Sequence, residues 1–178
     1  VRKLILNLAI SLDGFISDEY GGFDWIVGHG DSKNDTKDVF DFAEFMDSID
    51  TIIMGSKAYE DVVLTNLDTY EDKKILVATT RELEKRDNVE FIQGDVCKVV
   101  LALKELKGKD MWLYGGGILA EPFVKADLVD EYIIGIIPTI LGSGRTLFKG
   151  NNKKVDLHLD RATVVDGIGM LIYSRRLI

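Results

Sequence analysis

Apolar residues along this chain fall into short continuous runs separated by stretches of helical spacing. Lys3–Ile10 is an apolar run that ends in the turn signal Ser11-Leu12-Asp13-Gly14. A Gly- and Asp-rich stretch from Asp18 to Asp35 follows, carrying Trp25 and His29. Val39, Phe42, Ala43, Met46 and Ile49 then recur at helical spacing and predict a helix over Asp35–Ile49. Thr51–Met54 predicts a buried strand leading through Gly55 into a second helix near Lys57–Leu64. Strands are predicted at Lys74–Thr79 and Val89–Ile92, then a third helix carrying Val96, Val99, Val100, Leu103 and Leu106 and stopped by Gly108. Met111–Tyr114 predicts a strand that runs into Gly115-Gly116-Gly117 and a fourth helix, with Pro122 expected early enough in it to do little harm. Glu131–Ile137 is strand-like and is followed by the Gly-rich loop Leu141–Thr146. Val155–Val165 and Ile168–Ser174 predict a closing hairpin turned at Asp166-Gly167.

Strands alternating with helices over the first two thirds argue for an α/β fold with parallel strands and helical crossovers. The terminal hairpin adds an antiparallel element, so the sheet is expected to be mixed. With 178 residues, 46% of them hydrophobic, and no repeat or low-complexity linker, a single domain over 1–178 is expected.

The formal charge is −8, and it is unevenly placed. Residues 17–50 hold ten acids against Lys33 and Lys37, while the rest balances at 20 against 20. The absence of a basic stripe argues against nucleic acid and against anionic membrane. The lone Cys97 reads as a small core hydrophobe and fits a reducing compartment, and no signal-peptide pattern or bilayer-length apolar run occurs. A cytoplasmic location is expected. One cysteine and two distant histidines give no metal-ligand spacing.

Two segments have a strand, then glycine, then a helix start: TIIMGSKAYE at 51–60 and MWLYGGGILAEP at 111–122. Helix starts beyond the carboxyl ends of strands bind anions, and a triple glycine lets the backbone approach a pyrophosphate or adopt strained or cis geometry. Either motif alone is equally a tight turn, and neither is the G-x-G-x-x-G fingerprint. Thr79, Thr80 and Arg81 beyond a strand end make a phosphate pocket of the kind that separates NADP from NAD, or else a helix cap beside a solvated arginine. In the acidic helix the carboxylates at 35, 38, 41, 44, 47 and 50 spiral around the axis, with Asp35 as the expected N-cap. Asp38 falls on the flank of the apolar face, where a half-buried carboxyl can serve as proton donor. An N3-type capping acid is the alternative reading. Trp25 can wall a planar ligand or pack in the core.

The phrases KLILNLAISLDGFI, IIMGSKAYE, LVATTR, WLYGGGILAEPF and LVDEYIIGIIPTILGSGRTLF occur in an order that resembles the dihydrofolate reductase-like superfamily. The last phrase looks more like the riboflavin-biosynthesis reductase domain than true dihydrofolate reductase. The resemblance spans nearly the whole chain. It implies an eight-stranded mixed, mostly parallel sheet with flanking helices and a C-terminal antiparallel hairpin, binding NADPH across the strand ends, often as a homodimer.

By position, the resemblance puts nicotinamide-contacting backbone at Ala9 and Ile16. It puts phosphates at Gly55-Ser56-Lys57 and at Gly115-Gly116-Gly117-Ile118, and the 2′-phosphate near Thr79, Thr80 and Arg81. Tyr114 borders the hydride-transfer site. Asp38 is the acid nearest the first-helix carboxylate of the folate enzymes, and Asp13 is a second candidate. The chain departs from the folate enzymes at Ser56, Ala58 and Ile118, where an arginine, a threonine and an arginine are usual. The Gly142-Ser143-Gly144-Arg145 loop is expected to hold a substrate phosphate or to be a surface turn. The implied function is an NADPH-dependent reductase acting on a C=N or C=O of a small heterocycle. The alternatives are a non-catalytic nucleotide-binding or dimerisation module and a flavin enzyme.

Overall fold

The computed structural model describes residues 1–66, 68–150 and 152–176; Leu67, Asn151, Leu177 and Ile178, the last of which closes the expected 1–178 domain, lie outside the described residues. In chain order the strands and helices are β1 (Leu4–Ser11), β2 (Phe15–Ser17), α1 (Phe42–Ser48), β3 (Ile49–Gly55) and α2 (Ser56–Ala58), which runs into a π-helical turn at Tyr59–Val63. They continue with β4 (Lys74–Ala78), β5 (Val89–Ile92), α3 (Val96–Lys104), β6 (Asp110–Leu113), α4 (Gly117–Lys125), β7 (Glu131–Ile137), β8 (Arg145–Thr146), β9 (Leu157–Val165) and β10 (Ile168–Arg175).

Eight strands form one sheet in the order β5-β4-β3-β6-β1-β7-β10-β9. The first six are parallel, β10 is antiparallel to β7, and β9 is antiparallel to β10. The inner strands read as continuous apolar runs because helices cover both faces. Leu4, Leu6, Ile53, Leu76, Met111 and Leu113 face α3 and α4, packing with Val100, Ala120 and Phe123. Ile5, Ile52, Met54, Ile75, Val77, Trp112 and Ile133 face α1 and the π-turn, packing with Phe45, Tyr59 and Val63. The short β2 and β8 pair separately, so the loop expected over Leu141–Thr146 ends in a strand. Pro122 is the sixth of nine residues in α4, farther in than expected. All peptide bonds among the described residues are trans, so the triple glycine carries no cis bond.

The first helix departs most from expectation. It begins at Phe42, and its N-cap is Asp41, which accepts from the amides of Ala43 at 2.8 Å and Glu44 at 3.2 Å. Asp35 caps nothing; it accepts from the Asp166 amide at 2.7 Å. Thr36 exchanges bonds with Val164, and Asp38 pairs with Arg161. Short polar side chains that bond main chain elsewhere compete with helix, and here the β9–β10 hairpin offers those partners. Periodicity over 35–49 was therefore helical in only its second half.

Candidate active site at the carboxyl edge of the sheet

Parallel strands bring their carboxyl ends to one edge. Side by side along it lie the ends of β4 (Thr79-Thr80-Arg81), β3 (Gly55-Ser56-Lys57), β6 (Tyr114-Gly115-Gly116-Gly117) and β1 (Ala9 to Asp13). This is the row that the motifs anticipated, and β6 between β1 and β3 makes it a topological switch point.

Here the sheet parts. β1 pairs with β7 from Ile5↔Glu131 to Ser11↔Ile137, but its pairing with β6 ends at Leu6↔Leu113. Beyond that point Tyr114 donates its amide to the Ile53 oxygen of β3, at 2.9 Å. The indole Nε1 of Trp112 donates to the Asn7 oxygen at 3.1 Å and occupies the first position of the gap. On the α3–α4 face the gap is closed, because a Cβ on Gly115 would lie 3.1 Å from Leu8 Cδ2. On the opposite face it is lined by Asn7, Ala9 and Tyr114.

Gly115 and Gly116 have φ values of 115° and 89°, a region costly for side chains with a Cβ. The space before Gly116 and Gly55 is open, so a ligand can approach the main chain closely there. Gly117 starts α4 against β8, where a Cβ would fall 2.5 Å from the Thr146 oxygen. Ile118, the next residue, is exposed. The backbone thus fits a dinucleotide phosphate.

The cations are already engaged. Lys57 pairs with Asp61 at 2.8 Å, and Arg81 forks onto both Glu60 oxygens. Thr79 Oγ1 accepts from the Arg81 amide at 3.0 Å, which is a local turn, and Thr80 is exposed. Both pairs are solvent-exposed, a class worth about 0–1 kcal/mol, so an incoming phosphate can displace the carboxylates at little cost.

Of the three acid and aromatic candidates, Asp13 lies at this edge but is fully engaged, and Asp38 and Trp25 bond to other partners. Asp38, expected half-buried on a helix flank, sits in a bend ahead of α1 with 74% of its side chain exposed, and Arg161 Nε and Nη2 bond its two oxygens at 2.8 and 2.6 Å. Trp25 is partly buried and spends its indole N–H on the Gly22 oxygen of its own turn. Asp13 accepts from Ser11 Oγ at 2.6 Å and from the amides of Leu141 and Gly142. Those bonds, the Ser11 hydroxyl first, hold its carboxyl below the usual range, so it is ionised and ill suited to donate a proton. They also tie the end of β1 to the Gly142–Arg145 loop, which β8 then anchors to β2. Ala9 lies on the gap side of β1, and Ile16 lies in β2 against the α3–α4 core.

An aromatic group forms one wall of the gap. Trp112 packs against Phe42, Phe45, Tyr70 and Tyr114, with ring centroids 4.8–5.9 Å apart. Burial raises the hydroxyl pKa of Tyr114, and of Tyr70 more strongly. Tyr70 adopts φ of 62°, uncommon for a bulky residue, and its main-chain oxygen accepts from Asn88 Nδ2. Of this group only Tyr114 was anticipated. Trp112 and Tyr114 alternate along MWLY and share a face, and Asn7 is the lone amide in an apolar strand; both signals were readable. Tyr70 arrives from a loop and carried none. Cavities of about 570 and 300 Å³ open at the other, amino-terminal end of the sheet, lined by Lys73, Lys85 and Glu90 and by Phe40, Phe45 and Arg161 respectively.

Sheet order and edge together define a dihydrofolate reductase-like α/β domain, a reductase-type fold. The chain belongs to the RibD C-terminal domain family, whose model matches residues 62–168. It is 37% identical over 163 residues to the uncharacterized protein YwjB of Bacillus subtilis (strain 168), covering 89% of each chain. A putative riboflavin biosynthesis protein from Shewanella sp. PV-4 superposes with a TM-score of 0.81 at 26% identity, over 98% of this chain and 99% of that one. Dihydrofolate reductase from Enterococcus faecalis, complexed with NADP(H), superposes with a TM-score of 0.66 at 15% identity, over 98% and 97%. No helix among the described residues is long and apolar enough to cross a membrane.

Proposed function

We infer that this chain is an NADPH-dependent reductase that delivers a hydride to a C=N or C=O of a small pterin- or pyrimidine-like heterocycle, as a cytoplasmic homodimer. The observation that carries the reading is the parting of β1 from β6 beside the positive-φ turn at Gly115-Gly116, open at Gly116. Family membership and the NADP(H) held by the Enterococcus relative support it.

NADPH, when bound, supplies the hydride. The amides of Gly116, Gly117 and Ile118 at the start of α4 would take one phosphate, and Gly55-Ser56-Lys57 another. Thr79, Thr80 and Arg81 would take the 2′-phosphate, with Arg81 exchanging Glu60 for it. Ala9 main chain and Tyr114 would border the nicotinamide, and Ile16 would back it. Of the groups at the gap, the Tyr114 hydroxyl carries a proton at neutral pH, as any tyrosine does, and burial holds it more firmly. It is better placed to protonate a reduced substrate than the engaged Asp13 or Asp38.

Titration with NADPH and NADH, followed by nicotinamide fluorescence, tests this. NADPH is expected to bind more tightly, and Arg81→Ala is expected to erase the difference. No binding at millimolar cofactor overturns the reading. A second reading, a nucleotide-binding or dimerisation module without turnover, is favoured by Ser56, Ala58 and Ile118 and by the carboxylates on Lys57 and Arg81. It predicts binding with no oxidation of NADPH against any heterocycle.

A further inference from the structure

Asn7 is the polar member of the buried run Leu4–Asn7. Only 7% of it is exposed, and its Nδ2 has no hydrogen-bond partner. A buried amide N–H left unpaired carries a desolvation penalty that an apolar side chain in the same strand would avoid. Its surroundings are those of a ligand site. The strand register sets Asn7 beside Ile133 and Ala9 beside Gly135, all facing the α1 side. Ala9 and Gly135 are small, so the layer next to Asn7 toward the carboxyl edge has little side-chain filling of its own. Met170 fills it instead: a Cβ on Gly135 would meet the Met170 thioether at 3.5–3.6 Å. Methionine is unbranched and flexible, so it can leave that space without disturbing the strands. On the other side stand Trp112, whose indole bonds the Asn7 oxygen, and Tyr114 one strand position past the last β1–β6 pair.

We propose that Asn7 is the specificity-determining residue of the substrate site: its side-chain N–H donates to a ring carbonyl or other acceptor of a planar heterocycle that displaces Met170 and lies along Trp112 and Tyr114. Asn7 is a neutral donor, in contrast to the carboxylate looked for on the first helix. With Nδ2 as the unpaired group, this orientation of the amide selects rings that present an acceptor there over those that present an amino group, which would set two donors against each other. Being uncharged, it suits a dry site where a buried ion would be costly. Tyr70, held over Trp112 by its left-handed backbone and by Asn88, is a positioning residue that fixes the plane of that wall.

The proposal rests on the reductase reading for the ligand class, and calorimetry separates the two. The probes are lumazine, which carries two ring carbonyls, and 2,4-diaminopteridine, its amino counterpart of the same size. Wild-type protein is expected to bind lumazine at least tenfold more tightly. Asn7→Asp, which turns the donor into an acceptor, is expected to reverse that preference. Asn7→Leu, which removes the buried polar group, is expected to abolish it, and thermal unfolding checks that each variant is folded. Equal preference in wild type and folded Asn7→Leu, or no binding of either probe by wild type, overturns the proposal. NADPH titration of the same variants reports on the reductase reading separately. Cofactor binding without Asn7-dependent selection removes Asn7 and leaves the reductase; selection without cofactor binding does the reverse.

Discussion

The indole N–H of Trp112 donates to the main-chain oxygen of Asn7 at the point where β6 leaves β1. A side chain thus takes over from the ladder and satisfies a buried carbonyl, while the strands separate to form the gap. Trp112→Phe keeps an aromatic ring in the wall but leaves that carbonyl unpaired. The expected loss is about 1–3 kcal/mol of stability, read from the urea midpoint at unchanged slope.

Asp13 ties the turn after β1 to Leu141 and Gly142, and the Ser11 hydroxyl with those amides depresses its pKa. A carboxylate depressed in the folded state stabilises it above the ordinary carboxylate pKa, and that contribution is lost as pH falls through the folded value. Asp13→Asn is therefore expected to unfold at lower temperature near pH 6 and to lose less stability than wild type between pH 4 and pH 2. A parallel pH profile for the two proteins would exclude this role.

Asp38 and Arg161 join the 31–41 segment to β9 through a two-bond ion pair. The pair is exposed, so a double-mutant cycle of Asp38→Asn and Arg161→Gln is expected to return roughly 1 kcal/mol or less. The same Asp38→Asn protein is expected to keep its NADPH affinity. Loss of turnover with folding and cofactor affinity intact would return Asp38 to the chemistry.

Burial pushes the Tyr132 hydroxyl up to about 12, with the charge of Asp127 adding to the effect. The unfolded chain ionises this group near pH 10, so its contribution is intact below that pH and is lost as pH rises toward 12. Stability is expected to decline over pH 10–12, more gently in Tyr132→Phe. Absorbance at 295 nm follows the ionisation, and guanidinium midpoints follow the stability.

The α/β class, the hairpin at Asp166-Gly167 and the strand-to-glycine turns at Gly55 and Gly115 were determined by sequence alone. They rest on local chemistry: apolar runs of strand length, a turn pair and glycines at strand ends. The same local evidence failed over residues 35–41, because the partners that pull Asp35, Thr36 and Asp38 out of a helix lie more than 120 residues away, on β9 and in the turn that follows it. Asn7 was visible as an amide in an apolar strand, but only strand order could seat it beside Trp112 and under Met170. Tertiary structure alone decided where β1 and β6 part, since sequence periodicity marks which face a strand buries and not which neighbour it leaves.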